Sequence, residues 1–188
     1  MVGIYIYEGE YGKGEEGRIL VEKAARDYLG DYGDGEDDVN RYEIEVDQYG
    51  KPFFTHIPLD FSISHCGAMW VCAISPMPCG IDIQEIRKSA RWQAISERFY
   101  KPGEQSFVEA RGEKAFYQIW VRKEALGKLI GRGFHGIMPS LTDKEGRLLN
   151  EIELEEGSAL IKEIEISDYI FCAIATCDRE GEEIRLLI

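Results

Sequence analysis

Asp82 and Gln84 alternate with Ile81 and Ile83 in the stretch GIDIQ (Gly80–Gln84). Successive side chains of an extended strand face opposite sides, so the two isoleucines turn to a core while Asp82 and Gln84 share the other face. A carboxylate displayed this way suits a hard divalent cation when a second acid joins it. In WVRKEALGK (Trp120–Lys128), helical spacing clusters Trp120, Lys123 and Glu124 and puts Lys128 one turn beyond Glu124. Glu124 followed by Lys128 is equally an ordinary stabilising pair, worth a few tenths of a kcal/mol. FSISHCG (Phe61–Gly67) ends a strand on Ser64 and His65, where an imidazole can meet a phosphate oxygen or be held by backbone. Ser64 is not in a GxSxG elbow, which argues against a hydrolase triad. In RFYKPGE (Arg98–Glu104), Pro102 and Glu104 read as a helix start, which alone gives Glu104 a structural role.

These residues need elements to position them. Val2–Gly9 alternates like a strand, and Gly17–Leu29 carries apolar residues at helical spacing. Asp31–Asp38 is a Gly/Asp-rich loop, Tyr42–Val46 a short strand, and YGKP (Tyr49–Pro52) a turn. Phe61–Ser64 and Trp70–Ser75 are strands around a Cys-Gly-Ala turn, followed by a strand at Gly80–Gln84. Helices are expected at Ala90–Arg98, Pro102–Arg111 and Lys114–Leu129, then strands at Leu148–Leu154, Ala159–Ile166, Tyr169–Thr176 and Ile184–Ile188. WVCAIS (Trp70–Ser75) echoes IFCAIAT (Ile170–Thr176), which suggests two related αβ halves meeting near Glu85–Ala90.

The 188 residues suffice for one domain or two small packed halves. No apolar run reaches membrane-helix length, and the N-terminus lacks the pattern of a secretory signal. Five cysteines without a CxxC read as thiols in a reducing cytoplasm, and closed zinc-ligand spacing is absent. The net charge of −13 argues against a general nucleic-acid binder. Charge is uneven: Arg87–Arg132 holds 11 Lys and Arg against 5 Asp and Glu. That basic island suits a local anionic partner, or is simply a solvated helix face.

Taken in order, FSISHCG, GIDIQ, RFYKPGE and WVRKEALGKLIGRG resemble the motifs of the 4′-phosphopantetheinyl transferase superfamily, nearest to its two-halved, surfactin-synthetase-activating type. Those proteins read ISHS, GIDIE, F-S-x-x-E and W-x-x-KE-(A/S)-x-x-K. The likeness covers Tyr49–Gly133 well and the C-terminal strands loosely. It implies an α+β fold of two similar αβ halves forming a pseudo-dimer, residues 1–86 and 87–188, with the active site in the cleft between them. It also implies a monomeric cytoplasmic enzyme with no nucleic-acid or membrane partner. Such an enzyme moves the phosphopantetheine arm of coenzyme A to a serine of an apo acyl or peptidyl carrier protein. Adenosine 3′,5′-bisphosphate is the other product.

By the same resemblance Asp82 and Glu124 hold Mg²⁺, with Mn²⁺ as a substitute, and Gln84 stands where the family has a second acid. Gln84 can offer a carbonyl oxygen or hold a coordinated water, but brings no charge, so metal affinity would be weaker, the metal preference would differ, Glu104 would take more of the load, or activity would be lost. Glu104 would complete the metal shell or accept the serine proton, directly or through water. Lys128 would neutralise the pyrophosphate, or in a rival role act as base. Trp120 and Lys123 would position the helix, with Lys123 touching phosphate. Ser64 and His65 would hold coenzyme A phosphates, and Lys51 and Pro52 the adenosine end. Much of the basic stretch that grips the 3′-phosphate in surfactin-type relatives is missing, leaving Arg18, and after it Lys13, for that role. Arg98, Lys101, Lys114 and Arg122 are candidates for steering an acidic carrier. The alternatives are an inactive relative that binds carrier or coenzyme A, and another Mg²⁺-dependent nucleotide-pyrophosphate enzyme.

Overall fold

The computed structural model describes residues 1–9, 14–30, 40–87, 91–131, 133, 138–155, 157–177 and 184–187. Lys13 and the loop expected at Asp31–Asp38 lie outside the described residues, as do Ala90 and Ile188. In chain order the elements are β1 (Val2–Glu8), α1 (Glu15–Leu29), β2 (Ile44–Val46), β3 (Pro52–Phe54), β4 (Asp60–Cys66), β5 (Met69–Ser75) and β6 (Cys79–Glu85). They continue with α2 (Trp92–Phe99), α3 (Pro102–Arg111), α4 (Glu113–Ile130), β7 (Glu151–Leu154), β8 (Gly157–Ser167), β9 (Ile170–Cys177) and β10 (Ile184–Leu187). This is the expected α+β class.

Two four-stranded sheets, ordered β10-β1-β5-β4 and β6-β9-β8-β7, pack face to face. Val2, Ile4, Val71 and Ala73 of the first meet Ile81, Ile83, Cys172 and Ile174 of the second in a sealed layer. Ile81 and Ile83 point inward as the alternation of GIDIQ requires. The outer face of the first sheet is covered by α1, through Val21, Ala24 and Ala25 against Trp70, Cys72 and Ile74. The outer face of the second is covered by α4, through Ala125 and Leu126 against Ala173 and Ala175. Pro52–Phe54, within and beyond the expected turn, instead pairs with β2 as a two-stranded sheet, and Phe54 packs on Phe61 with the rings tilted and their centroids 4.6 Å apart.

Both sheets share a connectivity: a strand, a covering helix, then a hairpin whose second strand pairs with the first. It runs β1, α1, β4–β5 and then β6, α4, β8–β9. Sheet membership does not follow a cut at 86/87. β6 bonds to β9 in the second sheet, and β10 returns to run parallel with β1 in the first. The echo between WVCAIS and IFCAIAT falls on the equivalent strands β5 and β9, but one residue out of register. Cys72 and Ile74 face the covering helix, whereas Cys172 and Ile174 face the other sheet.

Glycines set the ends of the central helix. Gly112, at φ 81°, separates α3 from α4, and Gly131 closes α4 in the left-handed conformation. Gly80 does more. A Cβ there would sit 2.1 Å from the Ala125 carbonyl oxygen and 2.4 Å from the Leu129 nitrogen, so only glycine lets β6 lie on the α4 backbone. All five cysteines are thiols outside any disulfide. No helix among the described residues is long and apolar enough to cross a membrane.

Candidate active site

The edge strands β4 and β6 meet where the two sheets abut. β6 leaves outward amides without ladder partners, and alternate side chains of β4 supply them. Asp60 Oδ2 accepts from the Cys79 nitrogen at 2.8 Å, and Ser62 Oγ from the Ile81 nitrogen at 3.0 Å. One step further Ser64 Oγ donates to Asp82 Oδ1 at 2.7 Å. Asp60, Ser62 and Ser64 share one face of β4 by the same two-residue period that sends Phe61 to the α1 side.

Two lysines complete this seam. Lys51 Nζ lies 2.8 Å from Asp60 Oδ2 and 3.4 Å from the Cys79 carbonyl oxygen. Lys128 Nζ donates to Asp82 Oδ1 at 2.7 Å, the Ile81 carbonyl at 2.9 Å and the Ile63 carbonyl at 3.2 Å. The close seat of α4 on Gly80 is what brings Lys128 within reach of Asp82 two residues along β6. Both lysines border a pocket of about 210 Å³, whose wall also includes Tyr49, Pro52, Ile63 and the backbone of Gly131 and Gly133. Gly127 admits that glycine loop, since a Cβ there would lie 3.0 Å from the Gly133 backbone.

Glu104 is elsewhere in kind. It is fully buried, with Oε1 accepting from Lys123 Nζ at 2.9 Å and the Leu141 nitrogen at 2.8 Å, and Oε2 from the Lys101 nitrogen at 2.8 Å. It thereby ties the start of α3 to α4 and to the 138–142 segment. Both oxygens of Glu104, the residue expected to join a metal shell or accept a substrate proton, are engaged inside the protein. Lys123, expected to position the helix and to touch coenzyme A phosphate, is buried with it, 1% exposed. Burial pulls the Lys123 ammonium below the usual lysine range, with Glu104 opposing that shift. Tyr100, whose hydroxyl donates to the Phe116 carbonyl at 2.9 Å, is pushed up first by burial and then by Glu104 and Glu124.

Arg122 does not face a partner protein. It is 2% exposed, with one guanidinium nitrogen 2.7 Å from Glu163 Oε1 and the other donating to the Leu149 carbonyl and to Asn150 Oδ1. Arg98, Lys101 and Lys114 are exposed. Arg18 is exposed on α1 and donates to the Ile44 carbonyl at 2.9 Å, outside the pocket wall. His65 is exposed at the end of β4, while Glu124 and Gln84 are half-buried. Among the described residues no three His, Cys, Asp or Glu side chains gather as a metal-holding group.

The structure therefore brings together Lys51, Pro52, Ser64, Asp82 and Lys128 of the expected residues, with Glu124 one helical turn from Lys128. It adds Asp60, Ser62, Tyr49 and Gly80, which sequence reasoning did not assign. The signal for the first two was present as D-x-S-x-S at alternate positions of one strand. Cys66, on the inner face of β4, has its thiol pushed up to about 11 by burial, aided by Glu85 and Asp82.

A family model described as the 4′-phosphopantetheinyl transferase superfamily matches residues 78–174. A 4′-phosphopantetheinyl transferase of Bacillus subtilis is 37% identical over 93 residues, 47% of this chain and 41% of the relative. The 4′-phosphopantetheinyl transferase Sfp of Bacillus subtilis strain 168 is 28% identical over 137 residues, 69% of this chain and 60% of that protein. The 4′-phosphopantetheinyl transferase AcpT of Salmonella typhi is 36% identical over 95 residues, 47% of this chain and 50% of the relative. The chain thus spans less than two thirds of the length of these curated relatives.

Proposed function

This chain belongs to the 4′-phosphopantetheinyl transferase superfamily, and on that basis we propose that it transfers the phosphopantetheine arm of coenzyme A to a serine of an apo acyl or peptidyl carrier protein. The serine Oγ forms a bond to the β-phosphorus, the bond to the bridging oxygen breaks, and adenosine 3′,5′-bisphosphate leaves. The observation that carries the reading is the Ser64–Asp82–Lys128 cluster beside the pocket on the sheet seam.

The charges of the wall favour a divalent cation. Lys51 is paired with Asp60 and Lys128 with Asp82, so a diphosphate meets lysines whose charge is already balanced. Asp82, Glu124 and the Gln84 carbonyl are hard oxygen donors, and Mg²⁺ commonly takes one or two carboxylates with phosphate oxygens and water. The donor set fits Mg²⁺, or Mn²⁺ in its place, without Glu104. Bound there, the cation would neutralise phosphate oxygens and make the phosphorus more electrophilic. Lys128 would stabilise charge on the leaving bisphosphate, and its three-donor geometry suits an ammonium rather than a base. Glu124 takes the serine proton, directly or through one water, since Glu104 is sealed. Lys51, Pro52 and Tyr49 form the adenosine side of the pocket, Ser64 fixes the Asp82 carboxylate, and His65 contacts an outer phosphate. We place the cleft between two related halves of a single, monomeric cytoplasmic chain.

Intact-mass analysis of apo acyl carrier protein with this protein, coenzyme A and Mg²⁺ tests the reading. A gain of one phosphopantetheine arm, abolished by Asp82→Ala, is expected. No gain with acyl and peptidyl carriers, Mg²⁺ and Mn²⁺, and a Gln84→Glu variant would overturn it. The sealed Glu104 and uncharged Gln84 favour as second reading a relative that binds coenzyme A without transfer; binding with no mass gain distinguishes it.

A further inference from the structure

We infer that Lys128 closes the cation site of the free protein, so that a divalent cation and a diphosphate ligand bind cooperatively. The inference rests on the coenzyme A reading only for the identity of that diphosphate. An ammonium has three N–H donors, and Lys128 spends all three on the seam: on the Ile63 carbonyl of β4, the Ile81 carbonyl of β6 and Asp82 Oδ1. Asp82 receives both its side-chain hydrogen bonds from described residues, Ser64 and Lys128, on that one oxygen. The Lys128 charge therefore stands at contact distance from the carboxylate that a cation would need.

The exposures set the order of events. The Lys128 side chain is 29% exposed and borders the pocket, whereas the Asp82 side chain is 9% exposed behind it. A divalent cation arriving alone must approach Asp82 against the ammonium. A diphosphate arriving in the pocket meets Lys128 first and offers it anionic acceptors on its open side. Drawn to them, the flexible lysine stem leaves Asp82 without parting the ammonium from a counter-charge. Its two carbonyl acceptors are the weaker, neutral partners, so the ion pair is the contact that must be replaced. Linkage then requires that the diphosphate raise cation affinity by the same factor as the cation raises diphosphate affinity.

Mn²⁺ binding, read from the electron-spin resonance signal of the unbound ion, tests this with no turnover. The proteins are wild type, Lys128→Met and Lys128→Gln, each with and without coenzyme A, with folding checked by circular dichroism. Lys128→Gln retains hydrogen-bonding donors should Lys128→Met fail to fold. Without coenzyme A, the variants are expected to bind Mn²⁺ about tenfold tighter than wild type, within the usual range of site coupling. Coenzyme A should tighten Mn²⁺ binding by a similar factor in wild type and much less in the variants. Folded variants that bind Mn²⁺ no tighter than wild type would overturn the inference, as would equal coupling in all three proteins. If the variants tighten Mn²⁺ binding but coenzyme A has no effect on wild type, closure by Lys128 stands and the coenzyme A reading falls.

Discussion

Replacing either member of the Glu104–Lys123 pair should cost folding stability first and transfer only as a consequence. Lys123→Met leaves the Glu104 carboxylate fully buried with two backbone amides and no counter-charge. Glu104→Gln leaves a buried ammonium unpaired, and it turns an amide group toward a backbone N–H that now donates to Oε1 or Oε2. Removing one partner of a buried pair typically costs about 3–5 kcal/mol, a large share of the stability of a domain this size. The double variant Glu104→Gln/Lys123→Met removes both charges and should therefore lose less stability than the sum of the two single variants, by a coupling of about 1–3 kcal/mol for groups in direct contact. Urea unfolding gives the stabilities, and carrier modification at saturating Mg²⁺ gives kcat for the fraction that is folded. Per folded molecule, the double variant should keep kcat within about tenfold of wild type, since both Glu104 oxygens are engaged inside the protein. A Glu104→Gln protein of wild-type stability whose kcat falls by more than about a hundredfold would refute the reasoning. It would return Glu104 to the chemistry, where general acid–base groups contribute effects of that size.

Gly80→Ala should be among the most damaging single-methyl changes, because the added carbon meets α4 backbone rather than a movable side chain. Overpacking costs about 1–3 kcal/mol, and a lowered Tm with weakened coenzyme A binding is expected, while an unchanged Tm would show that α4 is not seated as described. The buried thiol of Cys66 has a folded pKa pushed up to about 11 from 9, so its stabilising contribution is complete below pH 9 and is lost as pH rises through 11. The urea midpoint should therefore fall between pH 9 and 11, less steeply in Cys66→Ala. Reversing the exposed Arg98 and Lys114 to Glu should raise KM for carrier several-fold and leave coenzyme A affinity unchanged, read by carrier titration and calorimetry.

What could be read along the chain was local periodicity and motif chemistry. The two-residue alternation of GIDIQ already separated Ile81 and Ile83 from Asp82 and Gln84, and Pro102 with Glu104 already marked a helix start. The ordered motifs around His65, Asp82, Glu104, Glu124 and Lys128 pointed to a family whose model matches residues 78–174. Motif order, however, carries no depth. Glu104 and Asp82 are both acids within that order, yet one is sealed by Lys123 and two amides while the other is paired with Lys128, which borders the pocket. Arg122, Lys123 and Lys128 lie within two turns of one helix, and helical rotation sends the first to Glu163, the second to Glu104 and the third to Asp82. Burial depends on which face meets which layer, and that was decided only when two sheets closed on each other. The same is true of the seam: β6 needed amide partners because it became an edge strand, and Asp60 and Ser62 met that need from a strand in the other sheet, while Ser64 reached the Asp82 carboxylate. Sequence determined the kinds of groups present and their order; the long-range packing of α4 on Gly80 decided which lysine reaches the carboxylate.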